Sequence, residues 1–316
     1  IRAAAWDANF QNSFEADAIR VVVEPVYTLG ASTRGGGAVA ASPMATSYVR
    51  NSEVTLVATA EPGWTFVQWL GDAGGNNATS TVRMTNNKCV EAVFGTSLRS
   101  VTTAGGTVRM QPNASLYPYG AVVRLTAVPQ SDYSFAAWGN AGVGTNNPLA
   151  YAVTSSDRTV SAAFFPLGQA QYSLAVVEEG FGRVSKSVGA NRFVTGQRVR
   201  LTAIPDQGQQ FLGWSGDASG PLTTLDVTMN QSRVITARFT THSQLAFSPC
   251  VNAVDNRPLP LWLNGEWGLV YVIEQAPTVI GPWQPMASVT NHFGISQIYV
   301  PGSTSGSQNY FRAIEK

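Results

Sequence analysis

The stretch EVTLVATAEPGWTFVQW, residues 53–69, occurs in three related copies along the chain. Its counterparts are VVRLTAVPQSDYSFAAW at residues 122–138 and RVRLTAIPDQGQQFLGW at residues 198–214. In every copy a Val-x-Leu-x-Ala run is followed by a Phe and then by a Trp at the same spacing. Because a pattern repeated at intervals marks a series of like structural units, the sequence predicts an array of homologous domains.

Each copy has further matching positions before and after this stretch. A glycine turn comes before it, and a run ending in Phe closes the copy about 25 residues after the Trp. Apolar residues alternate with polar or small ones in these runs, which is the period of a β-strand with one buried face. Gly, Asn, Pro and Ser between the runs supply turn geometry. We therefore predict β units with a core built on the recurring aromatic residues, namely Phe66, Trp69, Phe94, Phe135, Trp138, Phe164, Phe211, Trp214 and Phe239.

The pattern divides the chain into five parts. Residues 1–26 form an N-terminal arm, residues 242–316 form a different β module, and the three β repeats span 27–96, 97–168 and 169–241. The expected fold class is all-β, a tandem array of three homologous small domains with a distinct C-terminal β module and an N-terminal arm. Because a unit of about 70 residues is small for a self-sufficient core, we expect neighbouring units to pack together.

Several motifs carry a resemblance to known bacterial repeats. The first unit has GGAVAASP, EVTLVATAEPGWTFVQWLGD and KCVEAVF, and the third has RVRLTAIPDQGQQFLGWSGD and RVITARF. These motifs resemble the divergent internalin B-repeat (InlB B-repeat) and Listeria–Bacteroides repeat families. The run YVIEQAPTVIGPWQPMASV near the C-terminus resembles small sandwich-like modules of secreted bacterial proteins. The resemblance implies a secreted, extracellular or cell-surface protein of bacteria with spacer or adhesive modules.

The N-terminal arm contains two separate features. Trp6, Phe10 and Phe14 are spaced so that they fit one face of a helix or one face of a strand, and periodicity does not decide between the two. Ile19, Val21 and Val23 match the closing strand of a repeat whose body is absent. This orphan strand is explained by a truncated or processed parent chain, by pairing within this chain, or by an arm that completes the sheet of a neighbouring subunit. In the last case Ile19, Val21 and Val23 form an assembly strand.

The two cysteines, Cys89 and Cys250, both fall out of phase with the apolar positions around them. Two cysteines that point away from the cores of an extracellular chain suggest a disulfide, either between them or between subunits. Two unpaired thiols are the alternative. A bridge within one chain requires the array to fold back on itself.

Composition and motifs favour a protein without catalytic chemistry. The net charge is +1 and only 12% of residues are charged, which gives no basic surface for nucleic acid. No apolar run is long enough to span a membrane. The two histidines, His242 and His292, have no partner at metal-ligand spacing. We therefore expect no enzyme activity, no cofactor and no metal site.

Two functions from different classes fit these observations. The first is an extracellular structural or adhesive protein, a subunit of a bacterial filament or matrix that assembles head to tail by donation of its N-terminal strand. Its partner is then another copy of itself, or neighbouring repeats of a parent chain. The second is a carbohydrate- or ligand-binding region of a larger secreted enzyme or adhesin. Surface glycans are then the partner, and the candidate contact residues are Trp262, Trp267 and Trp283.

Overall fold

A computed structural model of the protein describes residues 4–6, 9, 13–15, 23–247, 259–300 and 308–316, and every regular element in these ranges is a β-strand. The predicted all-β fold class is confirmed. In the N-terminal arm, β1 (Ala4–Trp6) pairs with β2 (Ser13–Glu15) as an antiparallel hairpin. Strands rather than a helix therefore contain Trp6 and Phe14, whereas Phe10 lies outside the described residues.

The three repeats share one architecture of two sheets, each with three strands that occur in every copy. In repeats 1 and 3 the sheet that contains the closing strand also has a short fourth strand, Tyr117–Pro118 and Arg192–Val194, respectively. In the first sheet an opening strand runs parallel to the closing strand, which also pairs with the strand that ends near the Trp. The second sheet is antiparallel, and its central strand contains the Val-x-Leu-x-Ala run.

The strand order of the first sheets is β4-β10-β8, β11-β17-β15 and β18-β24-β22, and that of the second sheets is β5-β7-β9, β12-β14-β16 and β19-β21-β23. Repeat 1 consists of β3 (Val26–Tyr27), β4 (Leu29–Arg34), β5 (Gly37–Ser42), β6 (Tyr48–Val49), β7 (Glu53–Ala60), β8 (Thr65–Gly71), β9 (Thr79–Arg83) and β10 (Lys88–Thr96). Repeat 2 consists of β11 (Leu98–Thr102), β12 (Gly106–Gln111), β13 (Tyr117–Pro118), β14 (Val122–Pro129), β15 (Tyr133–Asn140), β16 (Leu149–Ala152) and β17 (Arg158–Pro166). Repeat 3 consists of β18 (Gln171–Glu179), β19 (Gly182–Lys186), β20 (Arg192–Val194), β21 (Arg198–Pro205), β22 (Phe211–Gly216), β23 (Thr224–Thr228) and β24 (Arg233–Phe239).

The recurring aromatic residues lie between the two sheets of each repeat. Trp69, Trp138 and Trp214 are 2%, 5% and 4% exposed. Each Trp packs on the Phe three residues before it, with ring centroids 4.9–5.3 Å apart. The closing residues Phe94, Phe164 and Phe239 are buried, and Phe66, Phe135 and Phe211 contact the same cores. Each indole nitrogen also donates to the carbonyl oxygen eight residues later, at 2.7–2.9 Å. The Trp therefore fills the core and fixes the loop that follows it.

In each repeat the backbone of one glycine packs directly against the ring of the closing Phe. A Cβ atom on Gly37 would lie 2.3 Å from the ring of Phe94, and one on Gly106 or Gly182 would meet the matching Phe ring at 2.5 Å. Because no side chain fits between this backbone and the ring, the turn of each repeat requires glycine at this position.

We expect Gly37→Ala to lower the free energy of unfolding by about 1–3 kcal/mol, since the added methyl group overpacks the core against Phe94. The matched control is Gly74→Ala in the same repeat, where nothing lies within 4 Å of the added Cβ. Urea unfolding followed by circular dichroism measures both changes. Equal effects of the two substitutions would contradict the packing argument.

Repeats 1 and 2 are interlocked through the end of a closing strand. Gly95 and Thr96 at the end of β10 pair with Pro118 and Tyr117 of β13, which belongs to repeat 2. The Thr96 hydroxyl donates to the carbonyl oxygen of Gly63 at 2.7 Å and accepts the backbone N–H of Asp157 at 2.9 Å. The closing strand of repeat 1 therefore completes repeat 2 as well.

The C-terminal module is a pair of three-stranded antiparallel sheets in the orders β25-β26-β29 and β28-β27-β30. Its core is formed by Leu261, Leu263, Tyr271, Ile273, Ile298 and Val300. The strands are β25 (Gln244–Phe247), β26 (Leu259–Asn264), β27 (Val270–Ala276), β28 (Gln284–Thr290), β29 (Ile295–Val300) and β30 (Tyr310–Glu315). This module contacts repeat 1 directly, so the array folds back instead of extending as a simple series of units.

Candidate functional site

The fold-back contact is built on one glycine of repeat 1. The backbone N–H of Gly71 donates to the Gln297 side chain at 2.7 Å, and the Gly71 carbonyl oxygen accepts from both Gln297 and Tyr299 at 2.6 Å. Burial raises the pKa of the Tyr299 hydroxyl, and the nearby Asp72 carboxylate adds to the shift. The phenol therefore remains protonated, and able to donate, at neutral pH. A fourth bond joins the Gln68 side chain to the Ile295 carbonyl oxygen at 3.3 Å.

An apolar contact lies beside these hydrogen bonds. Val67, Leu70 and Val93 are almost fully buried on the outer face of β8 and β10, where Trp262 and Phe293 of the C-terminal module pack on them together with Leu116 of repeat 2.

Sequence reasoning missed this contact, although a signal was present. The positions equivalent to Val67, Leu70 and Val93 are Ala136, Gly139 and Ala163 in repeat 2 and Leu212, Ser215 and Arg238 in repeat 3. Only repeat 1 has large apolar side chains at all three positions, and that difference between copies marks its outer face as the docking surface.

The three tryptophans named as candidate sugar contacts all pack against neighbouring side chains. Trp262 lies in the fold-back contact, with the Arg34 guanidinium 5.6 Å from its ring centroid. Trp267 packs on Tyr117 of repeat 2 and on Phe293, with centroids 5.7 Å and 6.2 Å apart. Trp283 is half-buried beneath the Arg312 guanidinium at 4.3 Å. All three rings are therefore partly covered by neighbouring side chains, and their role as sugar contacts remains a prediction.

A cavity of about 780 Å³ lies where all three repeats meet the C-terminal module. Repeat 1 contributes Leu70 and Val93 to its wall, and repeat 2 contributes Tyr119. Repeat 3 and the C-terminal module contribute loop and strand-end residues, including Gln207 and Trp267. The cavity exists only because the array folds back, so no pattern within a single repeat predicts it.

The junction of repeats 2 and 3 contains a buried ion pair. The Arg124 Nε lies 3.0 Å from a carboxylate oxygen of Glu178, whose side chain is only 6% exposed. The other Arg124 nitrogens donate to the carbonyl oxygens of Glu178, Gly180 and Gly182. Burial raises the pKa of Glu178, while Arg124 and the backbone N–H of Val184 oppose that shift. One side chain of repeat 2 thus satisfies four acceptors of repeat 3.

Of the two cysteines, Cys89 lies on β10 and is disulfide-bonded. Cys250 lies outside the described residues, so its pairing with Cys89 stays a prediction.

We expect mass spectrometry of a non-reduced digest to find one peptide pair joined through Cys89 and Cys250 in the monomer. A bridge between subunits would instead give a dimer that dissociates on reduction.

The assembly strand is only partly described. Ile19 and Val21 lie outside the described residues, and Val23 is 87% exposed in a segment without strand pairing. The chain enters repeat 1 through β3, which pairs with β6 in the register Val26–Val49 and Tyr27–Tyr48. The assembly role of Ile19, Val21 and Val23 remains a prediction.

Neither a metal site nor a membrane-spanning helix is found in the described parts of the chain. Groups of three His, Cys, Asp or Glu side chains that could surround an ion do not occur among the described residues. Within the same ranges, no helix has the length and apolar character needed to cross a membrane.

The architecture defines an all-β repeat protein, and comparison with protein families identifies the repeat. The family model of the divergent InlB B-repeat domain matches residues 27–98, 96–166 and 172–243. The chain belongs to this family, whose repeats are typical of bacterial surface proteins. The first two matches overlap at residues 96–98, beside the strand end that repeats 1 and 2 share. A comparison with curated proteins finds no match.

Proposed function

We propose that this protein is a non-catalytic structural and adhesive protein of the bacterial surface, and that it assembles head to tail by donating its N-terminal strand to a neighbouring subunit. The assembled form is a filament or matrix outside the cell. The proposal involves no catalytic step and no cofactor. Its central support is the way in which the chain enters repeat 1.

The entry into repeat 1 copies the connection between repeats 1 and 2. The Arg50 N–H donates to the Pro25 carbonyl oxygen at 2.9 Å, and the Tyr119 N–H donates to the Phe94 carbonyl oxygen at the same distance. In repeat 2 that acceptor belongs to the closing strand of the preceding repeat, whereas in repeat 3 the equivalent acceptor, Ala170, lies between β17 and β18. By this bond Pro25 takes the place that Phe94 has at the entry into repeat 2. The sequence match assigns that place to Val23, so the two alignments differ by two residues and keep the same alternation of Ile19, Val21 and Val23.

The exposed Val23 supports a partner outside the subunit. An apolar side chain that is 87% exposed loses contact with water when it is buried in a second sheet, which favours association. A strand with unpaired backbone groups adds readily to the edge of another sheet. Because donor and acceptor are different surfaces, such a contact can continue from subunit to subunit without closing.

The low surface charge also supports close assembly. A net charge of +1 with 12% charged residues gives little repulsion between copies. The fold-back contact joins the C-terminal module to repeat 1 within one subunit, and the proposal assigns the contact with a neighbour to the N-terminal strand.

We expect deletion of residues 1–24 to abolish polymer formation, because it removes the donor strand and leaves the entry at Pro25. The double substitution Val21→Lys and Val23→Lys is expected to have the same effect, since charged side chains oppose burial in the acceptor sheet. The matched control is Val143→Lys, at a loop valine that is 77% exposed in repeat 2. Electron microscopy and sedimentation velocity measure the polymer. Unchanged polymers after the deletion, or a full-length protein that stays monomeric, would exclude the proposal.

A further inference from the structure

We propose that the cavity between the three repeats and the C-terminal module is a binding site for a neutral oligosaccharide. This inference does not depend on strand donation, because the cavity lies within one subunit. Its volume of about 780 Å³ is within the roughly 300–1,000 Å³ that is typical of small-ligand sites, and such sites commonly lie between domains.

The aromatic part of the wall is fixed from behind. Trp267 is packed against Tyr117 of repeat 2 and against Phe293, which also lines the cavity. Tyr119 packs on Trp64 of repeat 1 with ring centroids 6.0 Å apart. The rings therefore keep their positions when the cavity is empty, and their apolar surfaces suit the C–H faces of a sugar ring.

Amide side chains with unused hydrogen-bonding groups line the same cavity. Within the described residues, the side chains of Asn264 and Gln207 have no hydrogen-bond partner, although both line the wall. An amide offers a donor and an acceptor together, which matches a hydroxyl group that both donates and accepts. Gln68, Gln209 and Gln244 also line the cavity, but their amides are bonded to backbone groups. Asn264 and Gln207 are thus the amides available to a ligand.

The charges around the cavity favour a neutral ligand. Arg34 is paired with Glu91 at 2.9 Å, and Asp206 lies 4.0 Å from Arg183. No cluster of cationic groups is therefore left to attract a phosphate or carboxylate ligand among the described residues of the wall.

An added peptide strand is also disfavoured at this wall. Asn264 and Ile295 pair with each other on β26 and β29, so their backbone groups belong to an existing ladder.

The test is a printed array of neutral and sialylated oligosaccharides, followed by calorimetry with the strongest neutral binder. We expect binding to a neutral oligosaccharide, with an affinity that falls roughly tenfold in Asn264→Ala and in Gln207→Ala as one hydrogen bond is lost. The matched control is Gln284→Ala, an exposed amide on β28 that is not part of the cavity wall. Circular dichroism confirms that all variants are folded.

Three results would overturn the inference. They are no binding of neutral oligosaccharides by the folded protein, binding of sialylated oligosaccharides alone, and equal affinity in wild type, Asn264→Ala and Gln207→Ala. Because the deletion of residues 1–24 leaves the cavity intact, the binding measurement and the polymer measurement succeed or fail separately.

Discussion

Replacement of Trp138 by Ala is expected to lower the free energy of unfolding by about 3–5 kcal/mol, the range for removal of a large buried aromatic side chain. Trp138 is 5% exposed, and its ring packs on Phe135 with centroids 4.9 Å apart. Its indole nitrogen donates to the Asn146 carbonyl oxygen at 2.7 Å, so the substitution also frees the loop that follows β15. Urea unfolding followed by circular dichroism measures the loss.

Two further variants separate the loss of core packing from the loss of the indole hydrogen bond and from the loss of an exposed aromatic ring. Trp138→Phe keeps a ring in the core and loses the bond to Asn146, so we expect a smaller loss than with Ala. Phe165→Ala on the closing strand of the same repeat removes an aromatic ring that is 58% exposed, and little change is expected. A loss well under ~1 kcal/mol in Trp138→Ala would show that this Trp is not a core residue.

Arg124→Ala is expected to destabilise the junction of repeats 2 and 3 by about 3–5 kcal/mol, because it removes the ion-pair partner of a buried carboxylate. Glu178 then keeps the Val184 N–H bond and the nearby charges of Arg183 and Lys186. The Glu178 side chain is 6% exposed, and Arg124 Nε at 3.0 Å is its ion-pair partner. Three carbonyl oxygens of repeat 3 lose a donor in the same substitution. Urea unfolding at neutral pH measures the change.

The matched control for Arg124→Ala is Arg200→Ala on β21. Arg200 forms an ion pair with Asp226 at 2.7 Å, but both side chains are about 60% exposed. Water replaces the lost contact there, so little change is expected. Equal destabilisation by the two substitutions would mean that burial of Glu178 does not determine the effect.

The penalty of Arg124→Ala is also expected to depend on pH. Burial raises the pKa of Glu178 in the folded protein above its ordinary value of 4.5, so the folded state binds the proton more tightly than the unfolded state. The contribution of this group to stability is therefore greatest at low pH and is lost as pH rises through the folded pKa. Without Arg124 the shift becomes larger, and the penalty grows from acid to neutral pH. A penalty that is constant between pH 4 and pH 7.5 would contradict this mechanism.

Sequence reasoning predicts the interior of each repeat because the information is local. Val54, Leu56 and Ala58 alternate along one strand, and the same alternation recurs at fixed distances from Trp138 and Trp214. Strand period and repetition together specify which face is buried. The structure places these residues in the cores of their repeats.

The fold-back contact and the cavity depend on partners distant in sequence, which periodicity does not contain. Gln297 and Gly71 are separated by 226 residues, and neither belongs to a recognisable motif with the other. The packing of Trp267 was not predicted for the same reason, because its partner Tyr117 belongs to another domain. The signal present in the sequence was a difference between copies, because only repeat 1 has large apolar side chains on this outer face.

During synthesis the outer face of repeat 1 is made before the C-terminal module that covers it. Val67, Leu70 and Val93 leave the ribosome long before Trp262 and Phe293, which cover them in the finished protein. Until the C-terminal module is complete, the outer face of repeat 1 is an exposed apolar surface on a folded domain. Exposed apolar surface of this kind promotes aggregation and chaperone binding. A nascent chain that stalls before residue 259 therefore keeps this apolar surface of repeat 1 exposed. In the full-length protein the C-terminal module covers it.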